Sequence, residues 1–204
     1  MSCMDKKHPD QERATSRCKQ VLDAAEICFS RSGFHGASMA EISKAAGMSA
    51  GHIYNYFDNK DAIIAAFVRQ NVERVTDLIG DLEQREDPLQ AIFDDIEKSV
   101  HADLRPGIWK LPLEIFAEAS RNPKIAALVQ EADGQSRNQL RNVLTKGRKA
   151  RGLATDAALL DGRIEAMISM FQGLHVRALH NPGLDEAALV AAIRLAMAPL
   201  LFSE

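Results

Sequence analysis

Apolar residues recur at helical spacing along almost the whole chain. Cys18, Val21, Leu22, Ala25, Cys28 and Phe29 form one stripe, which predicts a helix over 13–32 that ends at Gly33. Ser38 stands three residues before Glu41, the spacing of a capping box. Ile42, Ala45 and Ala46 give the short helix after it a narrow apolar face, and Gly47 follows where a chain leaves a helix through a left-handed conformation. Ser49 can cap a further helix carrying Ile53, Tyr54, Tyr56 and Phe57. Asn59-Lys60-Asp61 opens a long helix over 60–84, with Ile63, Ile64, Phe67, Val68 and Ile79 among its inward positions. Pro88, after Asp87, is a proline at a first helical position. It starts a helix that runs to about 104 and stops at Arg105-Pro106-Gly107. Three more helices are predicted over 109–121, 123 to Gly147 or Gly152, and 155–180. Asn181-Pro182-Gly183 is a turn, and a last helix covers 185–202. The total is nine helices, with no internal repeat or low-complexity segment.

Composition supports an all-helical chain. Of 204 residues, 46% are hydrophobic but only 5% aromatic, whereas many strands would need aromatic and β-branched residues. No window approaches 18 consecutive apolar residues, so no membrane span is expected. The opening MSCMDKKHPDQER lacks an apolar core and is not a secretory signal; a cytoplasmic protein is the expectation. Three cysteines imply no disulfide framework. Cys18 and Cys28, ten residues apart on one helix, are about 15 Å apart, too far to bridge each other. They lie on the apolar stripe, and packing is their expected role.

The net charge of −3 does not advertise nucleic-acid binding. Residues 13–60 nonetheless hold Arg13, Arg17, Lys19, Arg31, Lys44 and Lys60 against Asp23, Glu26, Glu41 and Asp58. That positive excess is small, and non-specific affinity scales with the phosphates neutralised. Doubling the site by dimerisation would compensate.

Residues 38–60 have the layout of a helix-turn-helix, whose second helix enters the DNA major groove. An ordered set extends that layout. Phe29-Ser30-Arg31-Ser32-Gly33-Phe34 is followed by Ser38, Ile42, Ala45-Ala46-Gly47-Met48-Ser49, Gly51, Ile53-Tyr54, Phe57 and Lys60. Over about residues 17–65 this resembles the DNA-binding domain of the TetR family of transcriptional repressors. Two positions depart from the family. Ser43 stands where Ala is usual at the crossing of the two helices, and Asn55-Tyr56 precedes Phe57 where other aromatic or His residues are common. The resemblance implies an all-α fold with a tail (1–12), a three-helix DNA-binding domain (13–59) and a helical domain for ligand binding and dimerisation (60–204).

Ser49, Ala50, Gly51, His52 and Asn55 occupy the end of the recognition helix that meets base edges. Gly51 lets the backbone approach closely. His52 and Asn55 share a face, and each can bond a purine edge. Tyr56 is open between packing beside Ile53 and Phe57 and contact with phosphate. By resemblance, Tyr54 and Lys60 contact backbone phosphate, and Ser38 adds a phosphate contact to its capping role. Lys44, Arg13 and Arg17 are weaker candidates.

The resemblance also implies a homodimer on a palindromic operator, joined through the last two helices. The interface residues expected there are Leu160, Ile164, Met167, Ile168, Phe171, Leu189, Ile193 and Met197. Gly162 and Gly173, interior to a helix, suggest close helix approach. A small-molecule effector is implied too, largely apolar, with Phe93, His101, Trp109, Phe116, Met170 and His175 as the candidate contacts. His101 and His175 are read as two isolated histidines that do not make a site, so no metal is expected, and no cofactor is called for. No nucleophile–base set or phosphate loop appears, so the chain is not read as an enzyme. The expected mechanism is repression relieved by effector binding. The rival is a dimeric DNA-binding regulator with no effector.

Overall fold

The computed structural model describes residues 9–204 apart from Pro106 and Ile108, with side chains from residue 13. Among these residues there are ten helices and no strand: α1 (Pro9–Gly36), α2 (Met39–Ala45), α3 (Ala50–Ile53), α4 (Lys60–Glu83), α5 (Pro88–Asp94), α6 (Ile96–Leu104), α7 (Lys110–Ala119), α8 (Pro123–Ala150), α9 (Ala157–His180) and α10 (Glu186–Phe202). The all-α class holds, with ten helices where nine were expected. The stretch from Pro88 to Leu104 is divided at Asp95 (φ −78, ψ −2), which closes α5 and precedes α6. No Gly or Pro stands there, so nothing in the pattern marked the break. α1 opens at Pro9, within the stretch 1–12 that was expected to be a tail. Residues 1–8, with Cys3, lie outside the described residues, as does Pro106 in the break after α6.

The first of two compact units comprises residues up to Gln70 together with Glu114–Val129. Its core takes Val21, Ala25 and Phe29 from α1, Ile42 from α2, Ile53 from α3, Ile63, Ile64 and Phe67 from α4, and Ile125 from α8. Phe29 packs edge-on against both Phe34 and Phe67, with centroids 5.4 and 6.2 Å apart, the arrangement that ring quadrupoles favour. Cys28 is a buried free thiol. Cys18 is also buried.

The helix of α1 breaks at Gly33 (φ 71, ψ 167), a conformation open only to glycine. Beyond it, α7 grips the end of α1 through two carboxylates. Glu114 Oε2 accepts from Phe34 N–H at 3.0 Å. Glu118, almost wholly buried, lies 2.9 Å from His35 Nε2 and accepts from Asn122 Nδ2 at 3.0 Å. Burial alone would raise the Glu118 carboxyl pKa. The Asn122 amide, His35 and Arg121 outweigh that, and the net shift is downward.

The second unit comprises Asn71–Leu113 and Gln130–Glu204. Leu89, Ile96, Val100, Leu144, Leu160, Ile164, Met167, Ile193 and Met197 are among the residues that fill its core. Gly147 lets α8 pass against α5, since a Cβ there would sit 2.7 Å from Leu89 Cγ. Two buried arginines hold the end of α10. Arg148 donates to the carbonyls of Ala154, Leu201 and Ser203 at 2.8–3.0 Å. Arg163 donates to Pro199, Leu200 and Glu204 at 2.6–2.8 Å. The last carbonyls of a helix have no intrahelical partner, and here guanidinium groups supply it.

Two stability predictions follow from these contacts. Replacing Arg148 by Leu leaves three carbonyls unpaired at a cost of about 2–4 kcal/mol, so the thermal midpoint should fall by roughly 5–10 °C; an unchanged melt by circular dichroism would contradict the role. Glu118 should make stability acid-sensitive. A carboxyl held low in the folded state stabilises above its unfolded pKa of about 4.3, and that contribution is lost as pH falls through the lower folded value. Glu118→Gln should therefore melt below wild type near pH 7, with the gap closing below about pH 4. A gap that is constant with pH would refute it.

Candidate nucleic-acid interface

The two short helices of the first unit are set by their caps. Ser38 Oγ accepts from Glu41 N–H at 3.1 Å, and Glu41 Oε2 accepts from Ser38 N–H at 2.8 Å. This is the capping box that the spacing indicated. The two bonds from Ser38 also hold the Glu41 carboxyl below its ordinary pKa. At the other end, Gly47 (φ 63) reverses the chain. Its N–H reaches Lys44 O and Met48 N–H reaches Ser43 O at 3.2 and 3.0 Å, the paired bonds of a Schellman motif. Ser43 is buried, and its hydroxyl donates to Met48 O at 2.7 Å. A serine thus fits where alanine was usual because it ties the turn. Gln20 Nε2, from α1, donates to Ala46 O at 2.6 Å, a support that no sequence signal singled out.

Ser49 caps α3 by accepting from His52 N–H at 3.3 Å. The helix is one turn, continued by Tyr56 and Phe57 N–H bonding to Ile53 O at 2.8 and 3.0 Å. Ile53 and Phe57 are buried. That fixes the phase of the turn and leaves Ser49, Ala50, Gly51, His52, Tyr54 and Asn55 exposed. Tyr56, open between two roles in sequence, is half-buried, with its hydroxyl oxygen 3.4 Å from His52 Nε2.

Lys60 differs from its expected placement. Its Nζ donates to Phe34 O and Ala37 O, both at 2.8 Å, and lies 4.7 Å from the Phe34 ring centroid. The ammonium that was expected to reach for phosphate is turned onto the backbone between α1 and α2. Lys44, Arg13 and Arg17 are exposed, and Arg17 bonds Gln20.

In the second unit most of the expected interface residues are taken up by the chain's own core. Leu160, Ile164, Met167, Ile193 and Met197 are buried within the chain, and Ile168, Phe171 and Leu189 pack against them. The strong apolar stripe of each helix serves the intrachain core. What α9 and α10 expose instead is Leu159, Val176, Leu179 and Leu195. Gly162 and Gly173, expected to mark close approach, have nothing within 4 Å of a Cβ position.

Nor do the six candidate effector contacts form one site. Phe93 and His101 line a cavity of about 580 Å³ with Glu97, Val190, Arg194 and Leu195. His101 is bonded to Glu186 at 2.6 Å there. Trp109 and Met170 are half-buried elsewhere in that unit. His175 is largely buried, with Nε2 3.9 Å from Asp103 and Nδ1 unpartnered. Phe116 is exposed and belongs to the other unit. Among the described residues, no group of three or more His, Cys, Asp or Glu is placed to hold a metal, and no helix is long and apolar enough to cross a membrane.

Residues 21–67 match the family model for bacterial regulatory proteins of the tetR family, and residues 85–201 match the BetI-type transcriptional repressor C-terminal model. The regulator UidR of Escherichia coli K12 is 33% identical over 126 residues, 59% of this chain and 60% of its own. The chain thus matches about three-fifths of that relative's length. BetI of Escherichia coli O139:H28 is 30% identical over 166 residues, covering 72% of this chain and 79% of its own. The structure of FadR from Bacillus subtilis in complex with stearoyl-CoA superposes with a TM-score of 0.73 at 19% identity, over 91% of this chain and 98% of that one. With a capped two-helix motif in place and both parts of the chain matched, this protein belongs to the TetR family of helix-turn-helix transcriptional regulators.

Proposed function

We propose that this chain is a repressor that binds a palindromic double-stranded DNA operator as a homodimer. The observation that carries this reading is the phase of the turn after Ser49. Burial of Ile53 and Phe57 presents Ala50, Gly51, His52, Tyr54 and Asn55 on one open face. His52 and Asn55 read base edges, while Ser38, Ser49 and Tyr54 contact phosphate. Tyr56 belongs to the same face through its contact with His52. Lys60 contributes by holding the start of α4 to residues 34–37. The DNA-reading part runs over 13–59, and 60–204 supplies pairing and control.

Dimerisation is argued from charge. The recognition segment 49–57 holds no Lys or Arg, so one copy neutralises few phosphates. Two copies about 34–36 Å apart would meet successive turns of a palindrome. In place of the expected residues, the exposed apolar side chains of α9 and α10 form the pairing surface. The double substitution Val176→Arg and Leu195→Arg should give a monomer by sedimentation and weaken operator binding at least about a hundredfold. A monomer that binds as tightly as the wild type would sink the idea.

Release by a small apolar effector is the second half of the proposal. FadR is in complex with stearoyl-CoA, and a regulator from Saccharomonospora viridis with choline, which supports a small-molecule effector. An effector that releases DNA binds the DNA-free state more tightly, and the coupling is reciprocal. One observation favours the rival with no effector: of the five candidate residues in the second unit, only Phe93 and His101 line its cavity. Thermal-shift screening with and without operator decides between them. An effector raises the melting temperature of the free protein and weakens operator binding. If no apolar compound does both, the effector-free reading stands.

A further inference from the structure

We propose that Tyr56 is a positioning residue that fixes His52 as a single-proton donor, so that each reading head selects a base that presents an acceptor, guanine foremost, at one base pair and rejects cytosine there. The inference rests on the DNA-reading function above and adds its polarity. His52 and Tyr56 are four residues apart on one continuous turn, so their side chains stack on the same face. Their rings meet edge to face, with centroids 5.4 Å apart and planes at 62°, and the phenol oxygen lies 3.4 Å from His52 Nε2. The backbone beneath them is fixed on both sides. Ser49 Oγ takes the His52 N–H, and the burial of Ile53 and Phe57 holds the turn in phase.

The chemistry of the pair sets its direction. A phenol hydroxyl donates readily, while a neutral imidazole offers one ring nitrogen as acceptor and one as donor. With Nε2 accepting from Tyr56, the proton stands on Nδ1. No hydrogen bond to Nδ1 occurs among the described residues, which leaves it to meet DNA. A lone donor in the major groove matches the N7 of either purine and the O4 of thymine. Guanine adds O6 beside N7, where adenine places an amino group, and cytosine presents only its amino donor. Without the Tyr56 hydroxyl, either nitrogen of His52 can carry the proton and the ring can turn, so the same position would accept donors and acceptors alike.

The test is selection from random DNA with the full-length wild type, His52→Ala and Tyr56→Phe. Phenylalanine keeps the ring contact and removes only the hydroxyl, and melting curves check that both variants fold. The wild type should favour guanine over cytosine by roughly tenfold at one position of each half-site. His52→Ala should erase the preference at that position alone. Tyr56→Phe should bring the guanine-to-cytosine ratio there to within about twofold and leave other positions unchanged. The proposal is overturned if Tyr56→Phe keeps the ratio, or if the His52-dependent position selects cytosine. It is also overturned if Tyr56→Phe weakens binding equally on all sequences, which would make Tyr56 a phosphate contact. If the wild type enriches no sequence, the DNA-reading function fails and this inference falls with it.

Discussion

The ammonium of Lys60, held by the carbonyls of Phe34 and Ala37, is the contact on which the reading half of this chain depends. The helix of α1 is broken at Gly33 and stops at Gly36, and backbone carbonyls left unpaired away from water are costly. Lys60 satisfies both and, through the Phe34 ring, packs its charge against the aromatic cluster of Phe29 and Phe67. Glu114 takes the Phe34 N–H on the other side. Residues 33–37 are thereby held from α4 and from α7 at once, and the next residue is Ser38, the cap of α2. The position of α2, and through Gly47 that of α3, is set by a five-residue segment whose backbone groups are paired with side chains from distant parts of the chain.

The second unit uses the same device at its far end. Arg148 and Arg163 carry like charges with little solvent around them. Burial lowers the Arg148 pKa, and the neighbouring Arg163 adds to that shift. The arrangement stands because six carbonyls of residues 154 and 199–204 face the two guanidinium groups. In both units a long cationic side chain binds backbone carbonyls at a helix end.

Helix existence and the reading motif were legible in the sequence because each rests on local chemistry. Ser38 with Glu41, Gly33, Gly47 and Pro88 act within a few residues of themselves, and all behave as their spacing indicated. The faces of α9 and α10 were not legible. Leu160, Ile164 and Met167 form the stronger stripe, and a stripe identifies the buried face without saying which surface buries it. The partner here is the chain's own core. The interface proposed instead uses weaker, scattered apolar residues that no periodicity singles out. The carbonyl contacts of Lys60 were not legible for a related reason. A lysine at a helix start beside a DNA-binding motif suggests phosphate, and only the fold reveals two carbonyls within its reach. Glu114 and Glu118, some eighty residues from their partners Phe34 and His35, carried no signal at all.

The inward turn of Lys60 changes how affinity must arise. With that ammonium engaged, the exposed cations of the first unit lie on α1, on α2 and beyond the reading turn, and none belongs to residues 49–57. The contacts left to that turn are neutral: two hydroxyls, an imidazole and an amide. Neutral hydrogen bonds contribute less than charged ones, but they depend more strictly on geometry, because a misplaced neutral donor gains nothing from long-range attraction. A head of this kind discriminates better than it holds. That makes rigidity of the 33–37 anchor and of the His52–Tyr56 pair more valuable than extra charge would be, and it leaves the strength of binding to the joining of two heads.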